Sequence, residues 1–286
     1  MNNIPVFYNT KLVAKNYSFS PSAGKPALAV ESWQSLGIPI NILEPTPATV
    51  DELCYAHGRN YVENVLACRA DNGFQNRLPE VAASLPYTTG AFVSAAREAL
   101  RNGKVAVAPV SGFHHASHDQ ASGFCTFNGL VVAAQVLKKA GLVNKVGILD
   151  FDHHYGDGTV DIIRARELGD WLFQYSAGKD YRQASRAEEF LQRIPELVSK
   201  FADCDIILYQ AGADPHVADP LGGWLTTAQL AERDRLVFEN AKSWNIPIAW
   251  NLAGGYQANL RSVLNIHDNT LKACAKVYLS NRENLS

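Results

Sequence analysis

The sequence predicts an α/β fold in which a single parallel β-sheet is sandwiched between helices. Four apolar runs of strand length, 104–110, 146–149, 205–208 and 246–250, each lead into a loop carrying histidine, aspartate or a Gly-Gly-Tyr turn. Helix-like stretches alternate with them, and parallel neighbours require such crossovers. A sheet of this kind carries its site at the carboxyl ends of its strands, where all four loops fall. With 286 residues, 47% of them hydrophobic, the chain can bury one large core, and it is read as a single domain over 1–286.

Taken along the chain, Thr49-x-x-Glu52 is a capping box opening a helix expected to run through Tyr61 and beyond. Residues 71–77 are rich in turn formers and read as a loop. Asp71 in that loop is read as a solvated carboxylate, with contact to a substrate backbone or cationic amine as the alternative. An amphipathic helix over 90–100 stops at Asn102-Gly103. Further helices are expected over 127–139, 159–167, 187–201 and 227–244, the third interrupted or kinked at Pro195.

Composition narrows the function classes. A net charge of −2 and a pI near 6.4 leave no electrostatic footprint for direct nucleic-acid binding. No apolar run approaches the ~20 residues of a membrane span, and no basic-then-apolar leader opens the chain. The five cysteines are odd in number and lack metal or disulfide spacing, which points to a reducing cytoplasm. Cys125 is read as a packing residue. Oligomeric state is left open.

The chemistry concentrates in Asp150-Phe151-Asp152-His153-His154-Tyr155-Gly156-Asp157-Gly158. Residues two apart in an extended segment share a side, so Asp152 and His154 can face one metal, with Asp150 one step behind. A third ligand is available in the segment from Tyr209 to His216, which includes Asp214. Two carboxylates and one imidazole hold a divalent ion and leave a position open for water; zinc fits, and without thiolates iron or cobalt fit too. The competing account of either segment alone is that Asp and His serve as turn and capping residues. Two other loops weigh against it. Ser111-Gly112-Phe113-His114-His115 supplies adjacent histidines suited to acid and base work, and Gly254-Gly255-Tyr256 turns sharply and aims a phenol.

These segments, with Ser122-Gly123-Phe124-Cys125 and Asp219-Pro220-Leu221-Gly222, resemble in order and spacing the histone deacetylase superfamily and its arginase-deacetylase fold, over about 4–256. The resemblance implies Asp152, His154 and Asp214 as zinc ligands. It implies His114 and His115 as the tandem histidines, His115 being the principal general base, with Asp150 and Asp157 bonding their far nitrogens. Tyr256 would donate to the oxyanion. Gly123 and Phe124 would line one wall of a narrow substrate channel and Leu221 its base, with Tyr181 a candidate for the opposite wall. A potassium ion is expected near Asp150, Asp152 and His154, with Trp171 read as replacing a hydroxyl the family places there. Lys25 would stand behind the site and assist acetate exit, whereas His57, His118, His153 and His216 are read as surface or loop residues.

The implied activity is removal of acetyl or other acyl groups from acetyl-lysine in proteins or peptides. Acetylpolyamines and other small acetylated amines are the alternative substrates. A two-metal ureohydrolase would need carboxylates two positions after His154 and Asp214, where Gly156 and His216 stand. A catalytically silent acyl-lysine binder is disfavoured by Tyr256.

Overall fold

The computed structural model describes residues 1–279. Its elements run β1 (Ile4–Phe7), α1 (Lys25–Ser35), β2 (Ile40–Leu43), α2 (Val50–Leu53), α3 (Arg59–Leu66), α4 (Pro79–Asn102), β3 (Val105–Ala108), α5 (Gly129–Lys139) and β4 (Val146–Asp150). They continue through α6 (Asp157–Ala165), β5 (Leu172–Ser176), α7 (Ala177–Asp180), α8 (Ala187–Ser199), β6 (Ile206–Gly212), α9 (Thr227–Ser243), β7 (Ile248–Ala253) and α10 (Leu260–Tyr278). The seven strands form one sheet in the order β2-β1-β3-β7-β6-β4-β5 with every pairing parallel.

The pleat divides the core in two. Leu149 on β4, Tyr209 on β6 and Trp250 on β7 point into one layer with α1, α8, α9 and α10. Ile148, Leu208 and Ala249, their chain neighbours, point into the other layer with α4 and α5. Central strands buried on both faces explain why they appear in the sequence as continuous apolar runs. The edge strands β2 and β5 are partly exposed, and their weaker apolar signal left them unassigned by sequence, together with β1, α1, α7 and α10.

Several boundaries differ from expectation for local physical reasons. The Thr49–Glu52 capping box forms, but its helix ends at Leu53 and a second starts at Arg59. The break falls at Gly58, whose amide donates to the His118 carbonyl and where any side chain would strike the Asp119 carboxylate. Helix α4 begins at Pro79, well before Gly90, because Val81, Ala82 and Leu85 are also covered and so mask the amphipathic stripe. Its end matches: Gly103 is left-handed at φ 66. Helix α8 runs through Pro195 as one element, with Ile194, Leu197 and Val198 buried on either side of the proline.

His57 is also corrected. It has no exposed surface, donates through Nδ1 to the Ser117 carbonyl (2.9 Å) and accepts at Nε2 from the Asn128 amide (2.8 Å), so it is a neutral core residue. Burial pushes its pKa down to about 4. Between the unfolded value near 6.5 and that folded value the unfolded chain binds the extra proton, so stability is lost as pH falls through this window. Urea unfolding at pH 7 and pH 5 should show wild type losing about 2 kcal/mol more across that step than His57→Gln does.

Candidate active site

The loops after β3, β4, β6 and β7 meet at the carboxyl edge of the sheet, and register explains why. Asp150 ends β4 opposite Gln210 of β6, while Gly212 of β6 lies opposite Ala253 of β7, so Asp152, Asp214 and Tyr256 leave adjacent strands at nearly the same height. Candidate ligand atoms of Asp152, His154 and Asp214 all lie within 4.8 Å of one another. His154 Nδ1 is 3.2 Å from Asp152 Oδ1 and 2.9 Å from Asp214 Oδ2. Asp214 Oδ2 nevertheless makes no hydrogen bond. A buried carboxylate oxygen close to a ring nitrogen but misaligned with it is what two donors aimed at a common cation produce, so the residues fit a divalent ion.

Charge supports the same conclusion. Burial and the neighbouring Asp152 push Asp214 up to about 7. Asp152 resists its own burial and is held well below the usual carboxylate range by His114 and His154. The Asp152 and Asp214 carboxylates beside its ring raise His154 to about 10. Two buried carboxylates this close repel one another, and a divalent ion between them would relieve that repulsion directly.

The tandem histidines sit beside this cluster with their rings 4.1 Å apart. His114 Nδ1 bonds Asp150 Oδ2 at 2.9 Å, and His115 Nδ1 bonds Asp157 Oδ1 at 2.6 Å. The two environments differ. Burial lowers His114, but Asp150 and Asp152 outweigh it and raise the pKa to about 9. Burial and the His114 charge instead lower His115. The preceding residue, Phe113, is held at φ 92, an unfavourable conformation offset by burying its ring beside Phe92 and Gly129. Gly123, at φ 52, is needed because any side chain there would enter the His115 ring.

Tyr256 is positioned by its backbone. Its amide donates to Asp219 Oδ2 (2.7 Å), while the Leu221 amide donates to Oδ1 of the same carboxylate (2.9 Å). Burial and the Asp214 charge raise the phenol's pKa, keeping the hydroxyl a donor. Phe124 packs against Tyr256 with ring centroids 5.5 Å apart.

Other expected residues move. Leu221 is 40% exposed, so it is not enclosed as the base of a narrow channel would be. Tyr181 has no exposed surface and packs among Trp224 and Phe190, so it forms no channel wall. Trp171 lies at the far end of the sheet, its carbonyl accepting from Val146 at the start of β4. The hydroxyl near the Asp150–His154 loop belongs to Ser176, which accepts from the Gly156 amide at 3.1 Å and reaches the His154 carbonyl at 3.5 Å. Asp71 is engaged by Arg77 at 2.6 Å. Lys25 is fully buried and donates to the Gly254 carbonyl at 2.5 Å, with burial lowering its pKa to about 7 against the pull of Asp214.

Sequence reasoning missed Arg233 and Asp219. The buried Arg233 donates from one nitrogen to the Phe151 carbonyl (3.0 Å) and the Gly212 carbonyl (2.7 Å), tying together the two loops that carry Asp152 and Asp214. No sequence signal marks Arg233, because it lies on a helix remote in the chain. Asp219 was visible as part of a motif, but not as the acceptor for Tyr256.

A parallel sheet with a buried Asp-His-Asp cluster, paired histidines and an aimed phenol defines a hydrolase site of the deacetylase type. The histone deacetylase domain matches residues 24–168 and 174–273, and the chain belongs to this family of hydrolytic deacetylases. It is 25% identical to histone deacetylase 2 of Arabidopsis thaliana, over 86% of this chain and 67% of the relative. It is 30% identical to the acetoin utilization protein AcuC of Staphylococcus aureus, over 64% of this chain and 57% of the relative. The crystal structure of the HDA15 HD domain superposes with a TM-score of 0.78 at 20% identity, covering 98% of this chain and 92% of that one, and shares the fold.

Titration calorimetry of chelator-treated protein should show uptake of one divalent ion. At a hundredfold excess of free ion over its Kd, the stability gain should be about 2.7 kcal/mol, read as a raised thermal midpoint, and His154→Ala should abolish both effects.

Proposed function

We propose that this chain, acting as one catalytic unit over 1–286, is a zinc-dependent amidohydrolase that releases acetate from acetyl-lysine in proteins or peptides. The observation that carries the reading is a pair of adjacent histidines, each bonded through Nδ1 to its own carboxylate, beside a cation-ready Asp-His-Asp cluster. Asp152, His154 and Asp214 would hold the zinc, which when bound supplies Lewis acidity to the acyl carbonyl and to a water. The carbonyls around Asp150, Asp152 and His154, with Ser176, offer a place for potassium. Acetylpolyamines and other small acetylated amines have the same scissile amide and form the second substrate class.

The chain's own residues then divide the proton work. His115, neutral near pH 7, accepts the proton of the attacking water, and Asp157 holds its ring by accepting from Nδ1. His114, bonded through Nδ1 to the buried Asp150, would place its other ring nitrogen beside the developing oxyanion. The Tyr256 hydroxyl donates to that oxyanion, as its raised pKa allows. A histidine returns the proton to the leaving amine, completing release of acetate and free amine. The five cysteines are all free thiols, which supports assignment to a reducing cytoplasm. Among the described residues no helix is long and apolar enough to cross a membrane.

Acetate release from an acetyl-lysine peptide, N-acetylputrescine and N8-acetylspermidine, with and without a hydroxamate chelator, tests the reading. Chelator-sensitive turnover of the peptide is the expected result, and its absence for all three substrates would reject it. Tyr256→Phe should lower kcat by two or more orders of magnitude with zinc content unchanged. The acid limb of kcat/KM should have its midpoint below the ordinary histidine value near 6.5, since His115 is lowered. Asp157 raises His115, so Asp157→Asn should move that limb to still lower pH and reduce the plateau; an unmoved limb would remove His115 from the role of base.

A further inference from the structure

The loop between β1 and α1 places an aromatic ring on the site. Phe19 stacks on Tyr256 with centroids 6.0 Å apart and planes 14° from parallel, yet 62% of it remains exposed. One face therefore rests on the phenol while the other is open. Phe124 meets the same Tyr256 ring at 5.5 Å and 42°, so Phe19, Tyr256 and Phe124 form an aromatic corner.

An exposed phenylalanine on a loose loop would signify little, but this loop is held by a buried asparagine. Asn16 is 8% exposed; its Oδ1 accepts from the Ser18 amide (2.9 Å) and its Nδ2 donates to the Ser20 carbonyl (2.9 Å), fixing the turn that projects Phe19. The Asn16 carbonyl in turn accepts from Asn76 Nδ2 (2.9 Å), in the loop that carries Phe74. Phe74 packs on Phe124 at 6.3 Å, and its neighbour Gly73 accepts at its carbonyl from the Phe124 amide at 3.1 Å. Phe19 and Phe124 are thus pinned to one another through the loop at 71–78. The segment after β5 supplies no such ring, since Tyr181 is in the core. Leu221, 40% exposed and held with Tyr256 on Asp219, adds exposed apolar surface beside Tyr256.

We propose that Phe19 is the second aromatic wall of the substrate channel, and that it selects acylated amines whose alkyl chain ends in an apolar or aromatic group over bare acylated diamines. The inference deepens the deacetylase reading and rests on it. An alkyl chain crossing the open face of Phe19 loses water on that side, and a terminal apolar group extends the buried area toward Leu221. A bare diamine would bring a second ammonium to this apolar surface and gain nothing from it.

The test uses the full chain loaded with zinc and two hydroxamates, acetohydroxamate and an alkyl-linked anilide hydroxamate, as inhibitors of acetate release. Acetohydroxamate reaches only the cation, whereas the longer compound must also cross the wall. Phe19→Ala is expected to weaken the longer inhibitor about tenfold, equivalent to ~1.4 kcal/mol, and to weaken acetohydroxamate far less. It should also raise KM for an acetyl-lysine peptide carrying an aromatic amide more than KM for N-acetylputrescine. Phe19→Tyr should restore both, and an unchanged thermal midpoint shows that the fold is kept. Equal weakening of both hydroxamates, or no change in either, overturns the assignment of Phe19 while wild-type turnover leaves the deacetylase reading standing. Wild-type protein that releases no acetate and binds neither hydroxamate rejects that reading instead, and Phe19 with it.

Discussion

Everything at the carboxyl edge of the sheet depends on holding three acidic groups, Asp150, Asp152 and Asp214, out of water and close together. Isolated buried carboxylates would neutralise, so the fold must supply compensating charge from several directions. His114 and His154 supply it from within the site. Arg233 supplies it from beneath, with its charge balanced by Asp234 at 2.8 Å and its hydrogen bonds spent on the Phe151 and Gly212 carbonyls. Asp234 is itself satisfied by the hydroxyls of Tyr209 and Thr270, which connects the charge network to β6 and α10. A buried ion pair of this kind adds little net stability, but losing either member would leave an unpaired buried charge. Its value lies in fixing where the loops carrying Asp152 and Asp214 leave the sheet.

The same electrostatic field separates the two histidines. Both have a carboxylate on Nδ1, so their hydrogen bonding alone would make them equivalent. The difference is solvent and distance: Asp150 has no exposed surface and stands with Asp152 near His114, whereas the Asp157 side chain is 66% exposed and its field is weakened by water. His115 also feels the positive charge of its neighbour. One histidine is therefore biased to hold a proton and the other to accept one, and the direction follows from depth in the protein.

The fold and most of the chemical groups were legible because they are local. Four apolar runs buried on both faces, the Thr49–Glu52 cap and Gly103 each leave a signature within a few residues, and Asp152 and His154 share a face by the alternation of an extended chain. What sequence reading lost was set by neighbours distant in the chain. The helix expected past Tyr61 breaks where the Gly58 amide donates to the distant His118 carbonyl and not to a preceding turn, and the early part of α4 lost its stripe because its residues are covered. His57 looked like a loop residue until its three backbone partners came from residues 117, 118 and 128.

The α/β class and the site at the strand ends could be read from short windows, because strand period and capping are local, and the family resemblance of the loop motifs added the residues gathered there. How those residues are tuned and framed came from packing. The pKa split of His114 and His115, the Arg233 tie, the Asp219 grip on Tyr256, the placement of Ser176 instead of Trp171, and Phe19 over the phenol all depend on distances between segments far apart in the chain. Such distances are fixed by how helices and strands pack, and no local pattern of residues contains them.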